Sequence, residues 1–191
     1  MSRRFGTASL ACVSTLVVAT SASAHVRLDY PTPRYPEVQG QADADIKQAP
    51  CGNTGDSRTT DESRITTLEA GSTITVEFRE AIPHPGWFRI AFDDDGQDDF
   101  PTPPTSGSAP TSATYPILVD GIPGGGTRNM AYTAEITLPD TPCDNCTLQL
   151  IQVMTDRPNN PSYYTCADIV LTAPSGAGGA GGSGGAGGGG T

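Results

Sequence analysis

Histidine is scarce in this chain: 191 residues hold only His25 and His84. Tryptophan occurs once, as Trp87, and no row of aromatic residues marks a flat binding face. The apolar run from Leu10 to Thr20 falls well short of the ~20 residues that cross a bilayer. No long helical periodicity and no internal repeat can be found, which turns the fold away from bundles and solenoids. Positive charge is also in short supply, with 11 Lys and Arg against 21 Asp and Glu and a formal net charge of −10. Such a chain repels phosphate backbones and anionic headgroups, so nucleic acid and membrane surfaces are poor partners for it. A neutral or cationic partner suits it better.

What is present starts with an export signal. Arg3 and Arg4 give the positive start, Leu10–Thr20 the apolar middle, and Ala22-Ser23-Ala24 the small-residue cleavage box. Cys12 lies inside the apolar zone rather than after it, behind a poor lipid-attachment box, which disfavours lipidation. Residues 1–24 therefore read as a signal peptide, 25–174 as one domain, and 175–191, almost wholly Gly, Ala and Ser, as a flexible tail. The expected location is secreted, either extracellular or periplasmic. Loss of Arg3 and Arg4 leaves the mature chain two units more negative.

Cleavage after Ala24 places His25 at the mature N-terminus. Its free α-amine and its imidazole can chelate one metal ion together, and a second imidazole would complete a three-nitrogen site suited to copper. His84, set between Pro83 and Pro85, is the other imidazole in the chain. Four cysteines remain: Cys51, Cys143, Cys146 and Cys166. An even count in an exported chain predicts two disulfides, with three possible connectivities. Cys143-x-x-Cys146 as half of a zinc site would need a second CxxC or CxxH, and none occurs. As a redox motif it would need a following helix, but Thr147–Met154 reads as a strand.

Three prolines between Val26 and Pro36 predict an extended course. Residues Glu37–Thr60 read as a long loop pinned by Cys51. Strands are expected at Ile65–Leu68, Thr73–Phe78, Gly86–Phe92, Tyr115–Val119, Tyr132–Leu138, Thr147–Met154 and Tyr163–Thr172. In Gly86–Phe92, Trp87, Arg89 and Ala91 fall on one side and Phe88, Ile90 and Phe92 on the other; Trp87 is expected in the core. Asp93–Asp99 is rich in acids but lacks EF-hand spacing and reads as a solvated loop. Phe100–Thr114 is Pro/Ser/Thr-rich loop, and Gly124-Gly125-Gly126 has no following helix and is no phosphate loop. Short strands with turn-rich connections and paired cysteines predict an all-β, immunoglobulin/fibronectin-III-like two-sheet sandwich with long loops.

With His25 at the start, Pro31 six residues on and Arg34 after it, the chain resembles the lytic polysaccharide monooxygenases, with Pro33 where that family usually has Ser. Tyr163-Tyr164-Thr165-Cys166-Ala167-Asp168-Ile169 is similar to the family's last core strand, which carries an aromatic near the copper. The resemblance spans about His25–Leu171. It implies one copper ion held by the His25 amine and imidazole and by the His84 imidazole, with Tyr163 at an axial position. It pairs Cys51 with Cys166 and leaves Cys143 to Cys146. The implied activity is oxidation of a C–H bond beside a glycosidic bond of chitin or cellulose by a monomer, using an external reductant and O2 or H2O2. Gln152 is a candidate for the family's Glu or Gln near the metal, set against an ordinary exposed strand residue. Two other functions compete. One is a copper protein with the same two histidines that captures or delivers the metal. The other is a non-catalytic carbohydrate-binding module, which would need no histidine at its mature start.

Overall fold

The computed structural model describes residues 26–35, 46–103, 107–159 and 161–175. His25, the signal segment and nearly all of the Gly-rich tail lie outside the described residues. Eight strands run through the described residues: β1 Val26–Tyr30, β2 Thr66–Glu69, β3 Thr73–Glu80, β4 Gly86–Asp93, β5 Ile117–Pro123, β6 Met130–Thr137, β7 Cys143–Met154 and β8 Ser162–Thr172. A 3-10 turn over Glu62–Arg64 is capped by the Asp61 side chain, which accepts from the Ser63 amide. One sheet has the order β1-β3-β6 and the other β2-β8-β7-β4-β5. All pairings are antiparallel except β2 with β8. This is the predicted two-sheet β-sandwich.

The alternation within the strands explains the layers. Val76 and Phe78 of β3 and Ile136 of β6 meet Phe88, Ile90 and Phe92 of β4, with Leu148, Leu150, Ala167 and Ile169 of β7 and β8, in one buried cluster. Burying one such large apolar side chain contributes about 1.5–3 kcal/mol. Phe78 meets Phe88 edge-on at 4.9 Å between ring centroids, and Tyr132 stacks on Phe78 at 5.3 Å. On the outer face of the five-stranded sheet, Trp87 packs with Ile151, Val153 and Tyr164 in a second cluster. Trp87 is therefore buried as expected, but in the outer layer rather than between the sheets.

Two strand expectations shift. The strand expected from Tyr115 starts at Ile117, because Pro116 has no N–H for the ladder and Tyr115 is left exposed. The strand expected from Thr147 starts at Cys143 and absorbs the CxxC, with a register shift between Cys143 and Cys146. Disulfides join Cys51 to Cys166 and Cys143 to Cys146.

The described part of the long loop lies along the outward side of β8. Besides the Cys51 bridge, buried Arg34 pairs with buried Asp168 at 2.6 Å, and the Thr59 amide donates to the same carboxylate at 2.8 Å. Arg34 also donates to Gln97 Oε1, and Arg58 donates to the carbonyls of Cys146 and Ile169 at 3.0 Å each. Arg34, noted in the sequence for its spacing from His25, thus works as a structural pin.

Candidate metal centre

The site is built where β3 passes into β4. Val76, Phe78 and Glu80 share the inward parity of β3, so the alternation that buries two apolar residues carries an acid into the same layer. Glu80 is fully buried. Its Oε1 accepts from the His84 amide at 3.1 Å and from Gln152 Nε2 at 3.0 Å. Its Oε2 accepts from the Gly126 amide at 3.0 Å and the Tyr132 hydroxyl at 2.8 Å, and the Gly125 amide lies 3.1 Å from both oxygens. Burial first, then the hydrogen bond to Glu80 and its negative charge, push the Tyr132 phenol up to about 12.

Gln152 is 2 % exposed and reaches Glu80 from the opposite sheet. The reading of Gln152 as an exposed strand residue is therefore overturned: it sits on the inward parity of β7 with Leu148 and Leu150.

His84 follows four residues after Glu80. The β4–β7 ladder ends with Gly86 opposite Met154, and the Thr155 amide donates to the Pro85 carbonyl at 2.8 Å. Continuing that register brings Asp156 beside His84, and Asp156 Oδ2 lies 3.0 Å from His84 Nδ1. The His84 side chain is 10 % exposed and that of Asp156 39 %. The hydrogen bond from His84 holds the Asp156 carboxyl below its ordinary range.

The predicted site residues separate as follows. His84 sits in this cluster, and His25 lies outside the described residues. Its covalent neighbour Val26 opens β1 directly opposite Glu80. Tyr163 pairs with Gln152 across β7 and β8, is 5 % exposed, and carries the Lys47 ammonium 3.5 Å from its ring centroid. The four cysteines lie in the two disulfides, away from the histidine loop in sequence. Asp93, Asp94 and Asp95 bring their carboxylates within 4.8 Å of one another, but Asp93 is occupied by the amides of Asp95, Gly96 and Asp99. Sequence reasoning missed Glu80 and Asp156. The inward parity of β3 could have found the first. No local signal marks the second, because the β4–β7 register delivers it.

The family model for the BIM1-like copper acquisition factor domain matches residues 23–179. The chain belongs to the BIM1-like family. No curated protein sequence matches it. Among solved structures, this BIM1-like chain is similar to an AA10 lytic polysaccharide monooxygenase from Streptomyces lividans, with 14 % identity, 81 % of this chain and 84 % of that one covered, and a TM-score of 0.38. An AA15 enzyme from Thermobia domestica in the Cu(I) state gives 19 %, 69 %, 77 % and 0.42 for the same measures. The cellulose-active enzyme CelS2, solved with copper, gives 18 %, 81 %, 74 % and 0.39. Similarities this shallow carry no argument of their own. The family shown is the BIM1-like one, and the likeness to the monooxygenases stays a resemblance. Among the described residues of this BIM1-like chain, no helix is long and apolar enough to cross a membrane.

Proposed function

We propose that this chain is an exported copper-binding protein that captures one copper ion at the β3–β4 end of the sandwich. In this reading residues 1–24 are removed, 25–174 form the working domain and 175–191 are a tail. His25 supplies its amine and imidazole, and His84 its imidazole. The observation that carries the reading is the His84–Asp156 contact at 3.0 Å. A metal-binding imidazole commonly donates its other ring N–H to a carboxylate, which fixes tautomer and orientation. With the Nδ1 proton turned to Asp156, Nε2 is the ring nitrogen whose lone pair would face a metal. The donor set fits, since imidazole and amine nitrogens suit copper. The opening of β1 supports it as well, since Val26, which follows His25 in the chain, is the register partner of Glu80, the residue that holds the His84 amide.

Bound copper supplies a redox-active cation. The chain's own residues orient and hold the ligands: Asp156 fixes the His84 ring, and Glu80 fixes its backbone. The family match supports capture over polysaccharide oxidation. The Lys47 ammonium over Tyr163 supports treating that tyrosine as a packing residue. Oxidation of chitin or cellulose with a reductant and O2 or H2O2 is the competing reading, and it rests on the sequence resemblance.

One experiment separates the two. Exported protein is checked by intact mass for a start at His25, titrated with copper under electron paramagnetic resonance, and incubated with chitin and cellulose plus reductant. Capture predicts one tightly bound copper, lost or much weakened in His84→Ala, and no oxidised oligosaccharides by mass spectrometry. Oxidised products would replace capture by oxidation. Unchanged copper binding in His84→Ala would remove both readings.

A further inference from the structure

Glu80 collects six hydrogen-bond contacts from five groups on four segments besides its own strand. The donors are the His84 amide from the β3–β4 loop, the Gly125 and Gly126 amides from the β5–β6 turn, Tyr132 from β6 and Gln152 from β7. None of these partners is cationic. The Gly124-Gly125-Gly126 run, which is no phosphate loop, nonetheless cradles an anion: two successive amides converge on one carboxylate, as in an anion-binding nest. The glycines are needed for this. Gly125 has φ +84°, and a Cβ there would lie 3.3 Å from the His84 carbonyl oxygen. A Cβ on Gly126 would meet Met130 Sδ and lie 2.8 Å from the Tyr132 hydroxyl.

We propose that Glu80, seated in the Gly125–Gly126 nest, is the positioning residue for the metal-binding imidazole. The proposal rests on the copper reading of His84. The carboxylate holds the His84 backbone from within the sandwich while Asp156 holds its ring from outside. Gln152 and Tyr132 tie that carboxylate to both sheets, so the histidine loop takes its geometry from the rigid core rather than from its own proline-flanked sequence. Residues behind a metal ligand typically change metal affinity by about 10- to 100-fold when replaced. Gln in place of Glu80 keeps the shape but turns one acceptor into a donor facing donors.

The test uses Glu80→Gln, Tyr132→Phe and Gly125→Ala beside the wild type. In the copper-free protein, the His84 amide is followed by proton chemical shift and hydrogen exchange. In the copper-loaded protein, affinity is measured against a competing chelator and the paramagnetic spectrum is recorded. Glu80→Gln is expected to move the His84 amide resonance, speed its exchange, weaken copper by about 10- to 100-fold and alter the copper spectrum. Tyr132→Phe and Gly125→Ala should move the same readouts in the same direction by less. A folded Glu80→Gln with the wild-type His84 amide overturns the proposal. So does one whose amide shifts while affinity and spectrum stay as in the wild type, because that is a purely structural role. If Glu80→Gln does not fold, the other two variants decide, and wild-type readouts in both overturn it. Wild-type protein that takes up no copper defeats the copper reading, and the amide arm still reports separately on the clamp.

Discussion

Asp168 and Glu80 are both fully buried acids, and they sit on opposite sides of the same five-stranded sheet in different company. Asp168 faces outward from β8 and meets a guanidinium, with both side chains almost sealed from solvent. Glu80 lies between the sheets, and its donors among the described residues are all neutral. The first pair cancels its charge locally, and the disulfide two residues away on β8 staples the same loop to the same strand. Around Glu80 the negative charge is dispersed, among the described residues, over neutral dipoles at the end of the sandwich that carries His84. The outer layer should therefore carry stability with little effect on the site, while the inner cluster should carry the site.

The sharpest way to break this comparison is to cut the outer staple. Replacing Cys51 and Cys166 with alanine opens a loop with a sequence separation of 115, which the chain-entropy model values at about 4–5 kcal/mol. Denaturant unfolding should show that loss, while the copper spectrum of the folded fraction stays as in the wild type. Arg34→Met comes next. It strands Asp168 without its cation, at a cost of about 3–5 kcal/mol by the same unfolding measurement, again with an unchanged copper spectrum. A changed spectrum in either variant would mean that the two regions are not separable.

On the inner side the order of effects should reverse. Asp156→Asn should weaken copper by about 10- to 100-fold by chelator competition. Stability should move by only about 0.2–1 kcal/mol, because the pair is partly exposed. Since the Asp156 carboxyl is held below its ordinary range, its contribution is present above the unfolded-chain carboxyl range and fades as pH falls through the folded value. The variant should flatten the stability curve there.

The smallest effect sharpens the Glu80 end. With its phenol raised to about 12, Tyr132 stabilises the fold below the ordinary tyrosine range, and that contribution is lost as pH rises from about 10 towards 12. Tyr35, Tyr115 and Tyr164 are raised as well, so ultraviolet titration of the wild type beside Tyr132→Phe should isolate the late step of Tyr132 by difference. That late step should be absent in Tyr132→Phe and shifted to lower pH in Glu80→Gln.

The strands were legible because their burial follows residue alternation. Phe88, Ile90 and Phe92 point inward as their spacing predicts. The ends were harder. Pro116 delays one strand, and the CxxC lies inside another because a register shift accommodates it. His84 could be singled out because histidine is rare here. Gln152 could be suspected but not placed, since an amide on a strand carries no sign of which face is buried until the neighbouring strands are known. Glu80 was hidden by the habit of assigning acids to solvent, although β3's alternation runs straight through it. Asp156 was beyond local reading: it reaches His84 through a ladder between segments 72 residues apart.

Trp87 gives the molecule an optical gauge. It is the sole indole in the chain, 2 % exposed, and stands three residues after His84 on the strand that leaves the histidine loop. Its emission therefore comes from one place, a dry layer outside the five-stranded sheet, and needs no label or mutation to be assigned. A paramagnetic ion arriving at His84 would dim that light without moving its colour, whereas opening of the outer layer would shift the colour towards that of wetted indole. One fluorescence cell thus distinguishes loading of the site from loosening of the scaffold.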